Sequence, residues 1–74
     1  MLLQIESFDE NGLERVSYVQ GVVAFSVDRR ASQPKLEVLF AVDHTGKTAF
    51  QKIKDVRLVR AEREDGVLLD AWRS

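Results

Sequence analysis

The chain carries a single imidazole, His44, next to Asp43 in the run Asp43-His44-Thr45-Gly46. A carboxylate beside an imidazole can tune it as a base, and a base beside a nucleophile makes a covalent catalyst. A thiol nucleophile is missing, because the chain has no Cys. The same four residues are also good turn chemistry. Asp suits the first position of a tight turn, and Gly accepts the positive φ that closes it. Adjacent carboxylates stand at Asp9-Glu10 and at Glu64-Asp65. Both pairs sit in polar, Gly-closed runs, where exposure should leave their pKa values ordinary and of no use to a general acid. No Gly-rich phosphate loop and no metal-ligand spacing occurs. The expectation is therefore of no catalytic residue, no cofactor and no metal.

Charge offers a second kind of chemistry. The formal net charge is −1, but it is unevenly spread. Residues 1–28 carry Glu6, Asp9, Glu10, Glu14 and Asp28 against Arg15, a balance of −4. Residues 29–60 carry Arg29, Arg30, Lys35, Lys47, Lys52, Lys54, Arg57 and Arg60 against Glu37, Asp43 and Asp55, a balance of +5. Residues 61–74 return to −2. Charge runs are most often solvated faces. Read functionally, the basic middle would meet an acidic partner or the acidic ends of another copy. The candidate partner-binding groups are then Arg29, Arg30, Lys52, Lys54 and Arg57. Two rings join them, Tyr18 and Trp72, because the core is expected to claim Phe25, Phe40 and Phe50. Trp72 reads first as a cap on the end of the core and second as an interface anchor.

These groups must be held by a small scaffold. Seventy-four residues make one domain, which buries only about 60% of the surface of its unfolded chain. With no disulfide to staple it, such a core favours self-association. No basic region followed by a long apolar run opens the chain, so no signal peptide is expected. No stretch approaches the roughly 20 apolar residues of a membrane span. A soluble cytoplasmic protein without a membrane partner is the default expectation.

The pattern along the chain is one of strands. Leu36, Val38, Phe40 and Val42 are apolar at every second position, a period of two. The Asp43–Gly46 turn follows, and then Thr48, Ala49 and Phe50, which together predict a β-hairpin. Residues 2–8 alternate in the same way and end in Asp9-Glu10-Asn11-Gly12. Residues 13–20 predict a strand, with a short helix as alternative. Gly21 has no turn chemistry around it and marks a bulge, a bend or a close backbone approach. Val22–Asp28 predicts a strand with Val23, Phe25 and Val27 on one face. A polar loop, Arg29–Pro34, comes next.

The region after the hairpin reads two ways. Phe50, Ile53, Val56 and Val59 are spaced by three, which would suit a helix over 49–63. The preferred reading is a strand to about Phe50, a tight turn over Gln51–Lys54 and a strand over Val56–Ala61. Arg63-Glu64-Asp65-Gly66 repeats the Gly-closed turn, and Val67, Leu69 and Ala71 predict a last strand. The expected fold is all-β, an antiparallel meander of five or six strands.

From about Gln20 to Arg60 the chain resembles an SH3-like small barrel, in the broad sense that includes Tudor, KOW and Sm-like domains. Gly21-Val22-Val23 opens a strand, a polar loop follows at 28–34, and Leu36-Glu37-Val38-Leu39-Phe40 leads into the tight turn. The run Gln51–Leu58 resembles the single helical turn and closing strand of those barrels. The resemblance implies a closed barrel with a helical turn near 51–54. It implies no particular activity, since the fold hosts many. The loop at 28–34 has no aromatic residue, so a methyl-lysine cage of several rings is not expected.

The functional expectation is a non-enzymatic interaction module. It would be a protein–protein adaptor or assembly subunit that binds a protein partner or itself, as a homo-oligomer. The alternative is a small barrel that binds nucleic acid through the basic middle at 29–60.

Overall fold

The computed structural model describes residues 1–28 and 34–73. Seven strands run in chain order: β1 (Leu2–Phe8), β2 (Glu14–Val19), β3 (Val22–Asp28), β4 (Lys35–Ala41), β5 (Thr48–Ile53), β6 (Val56–Glu62) and β7 (Leu68–Arg73). All pairings are antiparallel. They form a four-stranded sheet of order β2-β1-β6-β7 and a three-stranded sheet of order β3-β4-β5. The all-β expectation holds. Among the described residues there is no helix, and the two sheets do not close into a barrel.

Seven strands are present where five or six were expected, and the chain passes from one sheet to the other at two corners. One corner is Gly21, between β2 and β3. Its φ is 70°, and a Cβ there would lie 3.4 Å from the Ala41 carbonyl oxygen. Ala41 N–H in turn donates to the Gly21 carbonyl at 2.8 Å. The bend and the close approach expected of Gly21 are therefore both present. The other corner is Lys54-Asp55, between β5 and β6. Asp55 takes φ 51°, a left-handed conformation that Asp tolerates better than most residues.

The spacing of three that suggested a helix over 49–63 has a different cause. β5 continues through Ile53, with Lys52 opposite Glu37 and Ile53 opposite Leu36, so no helical turn forms at 51–54. Val56 and Val59 are both fully buried although an odd spacing should put them on opposite faces. The β1–β6 register slips between Glu6 and Ser7, and the extra residue turns β6 over. A bulge has the same effect in β3, where the register slips between Val22 and Ala24. Val22, Phe25 and Val27 thus face inward, and Val23 is pushed out at 55% exposure. The expected face of Val23, Phe25 and Val27 is corrected by that one extra residue.

The core lies between the sheets. It consists of Leu3 and Ile5 from β1, Val22 from β3, Leu36 and Val38 from β4, and Val56, Val59 and Ala61 from β6. Met1, Val19, Phe25, Val27, Phe40, Ile53 and Trp72 pack around it. Backbone hydrogen bonds tie the sheets together at the corners. Met1 and Val22 exchange two, both 3.0 Å. Val56 N–H donates to the Pro34 carbonyl at 3.0 Å, and Phe8 N–H to the Asp55 carbonyl at 3.1 Å.

Candidate interaction surface

The three Gly-closed turns are held by their carboxylates. Asp9 Oδ1 accepts the N–H groups of Asn11 and Leu13, each at 2.9 Å. Asp43 Oδ1 accepts the Thr45 hydroxyl and, at 2.8 Å, the Thr45 N–H. Asp65 receives Arg63 Nη2 at 2.6 Å and the Val67 N–H at 3.3 Å. Bonds to the charged form lower a carboxyl's pKa. The Leu13 N–H does this first for Asp9, the Thr45 hydroxyl for Asp43, and the Arg63 side chain for Asp65. Asp9 and Asp65 are therefore not ordinary carboxyls, as exposure alone implied. They are held below the usual range and are poorer proton donors still. His44 lies exposed in the middle of its turn.

The candidate partner-binding residues do not form one patch. Arg29 and Arg30 lie outside the described residues. Lys52 and Lys54 line an open cleft with Phe8, Asp9, Arg15 and Asp55. Arg57 stands beside it, with its guanidinium carbon 5.1 Å from the Phe8 ring centre and Nη2 3.0 Å from Asp55 Oδ1. That contact is an ion pair without hydrogen-bond alignment, since the buried Oδ1 accepts no hydrogen bond. Lys52 Nζ faces Glu37 at 3.8 Å. The basic groups of this cleft are thus interleaved with acids. Tyr18 and Trp72 sit far from one another in the order of the same sheet, on its two edge strands β2 and β7. Trp72 lies across from Val59 and packs on the core. It also lines a cleft of about 500 Å3 between the edges β3 and β7, with Met1, Phe25 and Val27.

Tyr18 belongs to a region that the charge pattern did not single out. Every residue of β2 except Val19 is exposed. Val16 is 50% and Tyr18 66% exposed, on the outer face beside Glu6 and Gln4 of β1. Only Val19, at the end next to the Gly21 corner, packs on the core. Phe50, expected inside, is another exposed ring at 59%, on the outer face beside Leu39. The missing clue for β2 was its position in the sheet. Residues 13–20 carry apolar groups in both phases, Val16 and Tyr18 against Leu13 and Val19, and alternation alone does not mark an uncovered edge.

The hydrogen-bond phase of β2 can be read from its turn. Asp9 N–H donates to the Leu13 carbonyl at 2.8 Å. Antiparallel pairs alternate between bonded and non-bonded. With the register Ser7–Arg15, Ile5–Ser17 and Leu3–Val19, the odd residues of β2 bond to β1. The N–H and C=O groups of Glu14, Val16 and Tyr18 then point away from the sheet. Phe8 N–H bonds to β6's corner and not to β2, which fixes the same phase independently.

No protein-family model, no curated protein and no solved structure matches this chain. Among the described residues no group of three or more His, Cys, Asp and Glu side chains could hold a metal, and no helix is long and apolar enough to cross a membrane.

Proposed function

We propose that the protein is a non-enzymatic protein–protein interaction module that binds through a free sheet edge. The observation that carries this reading is β2. Native edge strands are usually blunted by charged side chains, Pro, a bulge or a covering loop. β2 carries charge only at its first two positions, Glu14 and Arg15. Over Val16–Val19 it has no charge and no Pro, no slip in its register with β1, and no cover on either face as far as Tyr18. An extended segment can add to such an edge through its main chain, with side-chain pockets giving the choice. In this proposal Tyr18 and Val16 supply the apolar contact. Trp72 serves the core first and the β3–β7 cleft second.

The SH3-like kinship belongs to the same proposal as an opened version of that barrel. It is supported by the passage of β2 into β3 through the Gly21 corner, where Met1 and Val22 exchange two backbone hydrogen bonds. A cytoplasmic setting is also part of it. Nucleic-acid binding by Arg29, Arg30, Lys52, Lys54 and Arg57 is the competing reading. The ion pairs of Lys52 and Arg57 with Glu37 and Asp55 weigh against it, because paired cations release fewer counterions from a phosphate backbone. Titration with single-stranded and double-stranded oligonucleotides at rising salt tests the choice. A phosphate footprint would lose roughly 0.7 to 0.9 log units of affinity per contact for each tenfold rise in salt. The expected result is no such binding at physiological salt. Charge reversal at Arg29 and Arg30 should instead alter protein association, since complementary charges steer encounter.

A further inference from the structure

Resting on that reading, we infer that the occupant of the β2 edge is β2 of a second copy, paired antiparallel about a twofold axis at Ser17. The outward N–H and C=O groups belong to Glu14, Val16 and Tyr18, so a second β2 can bond only in registers that set even positions against even positions. The register centred on Ser17 places Val16 of each copy opposite Tyr18 of the other. This makes two aromatic–β-branched pairs on one face, a favourable cross-strand combination. Arg15 then faces Val19 of the other copy, and Glu14 faces Gln20. The register centred on Val16 would instead set Glu14 against Tyr18 on both sides. The twofold contact is isologous, so it closes at two copies and does not propagate.

The side chains of β2 fit this occupant, because Val16 at 50% and Tyr18 at 66% exposure are the groups that this register sets against one another. Dimerisation through β2 would join two four-stranded sheets into one of eight strands and remove both unprotected edges.

Because the chain has no Cys, single cysteines report on register cleanly. Ser17 meets its own counterpart at a non-hydrogen-bonded position, where Cα atoms are about 4.5 Å apart, within disulfide reach. Under mild oxidation Ser17→Cys should form a covalent dimer at least tenfold faster than Val16→Cys or Tyr18→Cys. The wild-type chain at high micromolar concentration should show twice the 8.4 kDa chain mass by light scattering. The double variant Val16→Lys/Tyr18→Lys should keep its circular dichroism and need at least tenfold more protein to dimerise.

A wild-type monomer at that concentration, with no preferred crosslink at residue 17, overturns the inference. Faster crosslinking of Val16→Cys or Tyr18→Cys overturns the register. A dimer that the double lysine variant leaves intact places the contact elsewhere and overturns it too. None of these results restores nucleic-acid binding. The broader module reading fails only on tight, salt-sensitive oligonucleotide binding, so the two failures are separable.

Discussion

β2 and β3 are both edge strands, and they are consecutive in the chain, yet they are built in opposite ways. β3 begins with a bulge and delivers Val22, Phe25 and Val27 to the core. β2 has a regular register and delivers only Val19. Gly21 between them carries the chain from one sheet to the other. A bulge twists an edge away from a would-be partner, so β3 is protected where β2 is not. On the proposal made above, this difference gives β3 to stability and leaves β2 for association.

The sharpest test of that division lies under β3. Leu36 of β4 pairs with Val27 on one side and Ile53 on the other and is fully buried. Leu36→Ala removes buried methyl groups and leaves a cavity, at a cost of about 2–5 kcal/mol. A domain of this size has only about 4–11 kcal/mol in total. Urea unfolding followed by circular dichroism should show a midpoint shifted far down or no native baseline. If instead the variant melts with the parent, the three-stranded sheet is not anchored at Leu36 and the contrast with β2 collapses.

The corner between the two strands comes next. Gly21→Val adds a β-branched side chain at φ 70° and brings a Cβ against the Ala41 carbonyl. The strain alone is of order 1–3 kcal/mol. Gly12→Val and Gly46→Val meet nothing within 4 Å, so only the positive φ penalises them, and each should cost less than Gly21→Val. Equal losses at all three positions would mean that the close approach at the corner adds nothing.

How much of this could be read from the chain depends on which residues are asked. The Gly-closed turns were legible, because Asp9, Asp43 and Gly66 sit where local hydrogen bonding and positive φ need them. The strands 2–8, 22–28 and 35–41 were legible from their alternation. Val23 and Phe50 were misplaced for one general reason. Alternation gives two faces but not which face a second layer covers, and one inserted residue reverses the assignment. The helix-like spacing of Val56 and Val59 was the same effect seen twice. The exposure of β2 was not legible at all, since it follows from a four-stranded sheet outreaching a three-stranded one.

Acid should loosen the β2 side of the molecule through its turn. Their hydrogen bonds hold the folded Asp9, Asp43 and Asp65 carboxyls below the ordinary carboxyl range. A lowered folded pKa contributes stability that is present above the unfolded value and is lost as pH falls through it towards the folded one. Urea midpoints should therefore be flat near neutrality and decline as pH drops through the unperturbed Asp value of about 3.9 and below. Asp9→Asn removes the charge that receives Leu13 N–H and Arg15, and should flatten that decline and lower protection of β2 amides in hydrogen exchange. A decline of unchanged depth in Asp9→Asn would remove this turn from the account and leave β2 ordered by its ladder alone.

The smallest effect decides the most about β3. Val22 and Val23 are neighbours of the same type, at 4% and 55% exposure. Without the bulge, Val23 would share the inward face with Phe25 and Val27, and Val22 would lie outside. Val23→Thr replaces a methyl group by a hydroxyl that water can reach, and a surface change of this kind stays within about 0.5 kcal/mol. Val22→Thr buries the hydroxyl beside Phe40, its partner across the pair, and an unpaired buried hydroxyl costs roughly 1–3 kcal/mol. The pair of variants, compared in the same urea series, measures which valine faces the core. A loss at Val23 with none at Val22 would place β3 in the regular alternation that the sequence suggests. The strand would then be as flat as β2, and the reason for assigning association to one edge and stability to the other would disappear.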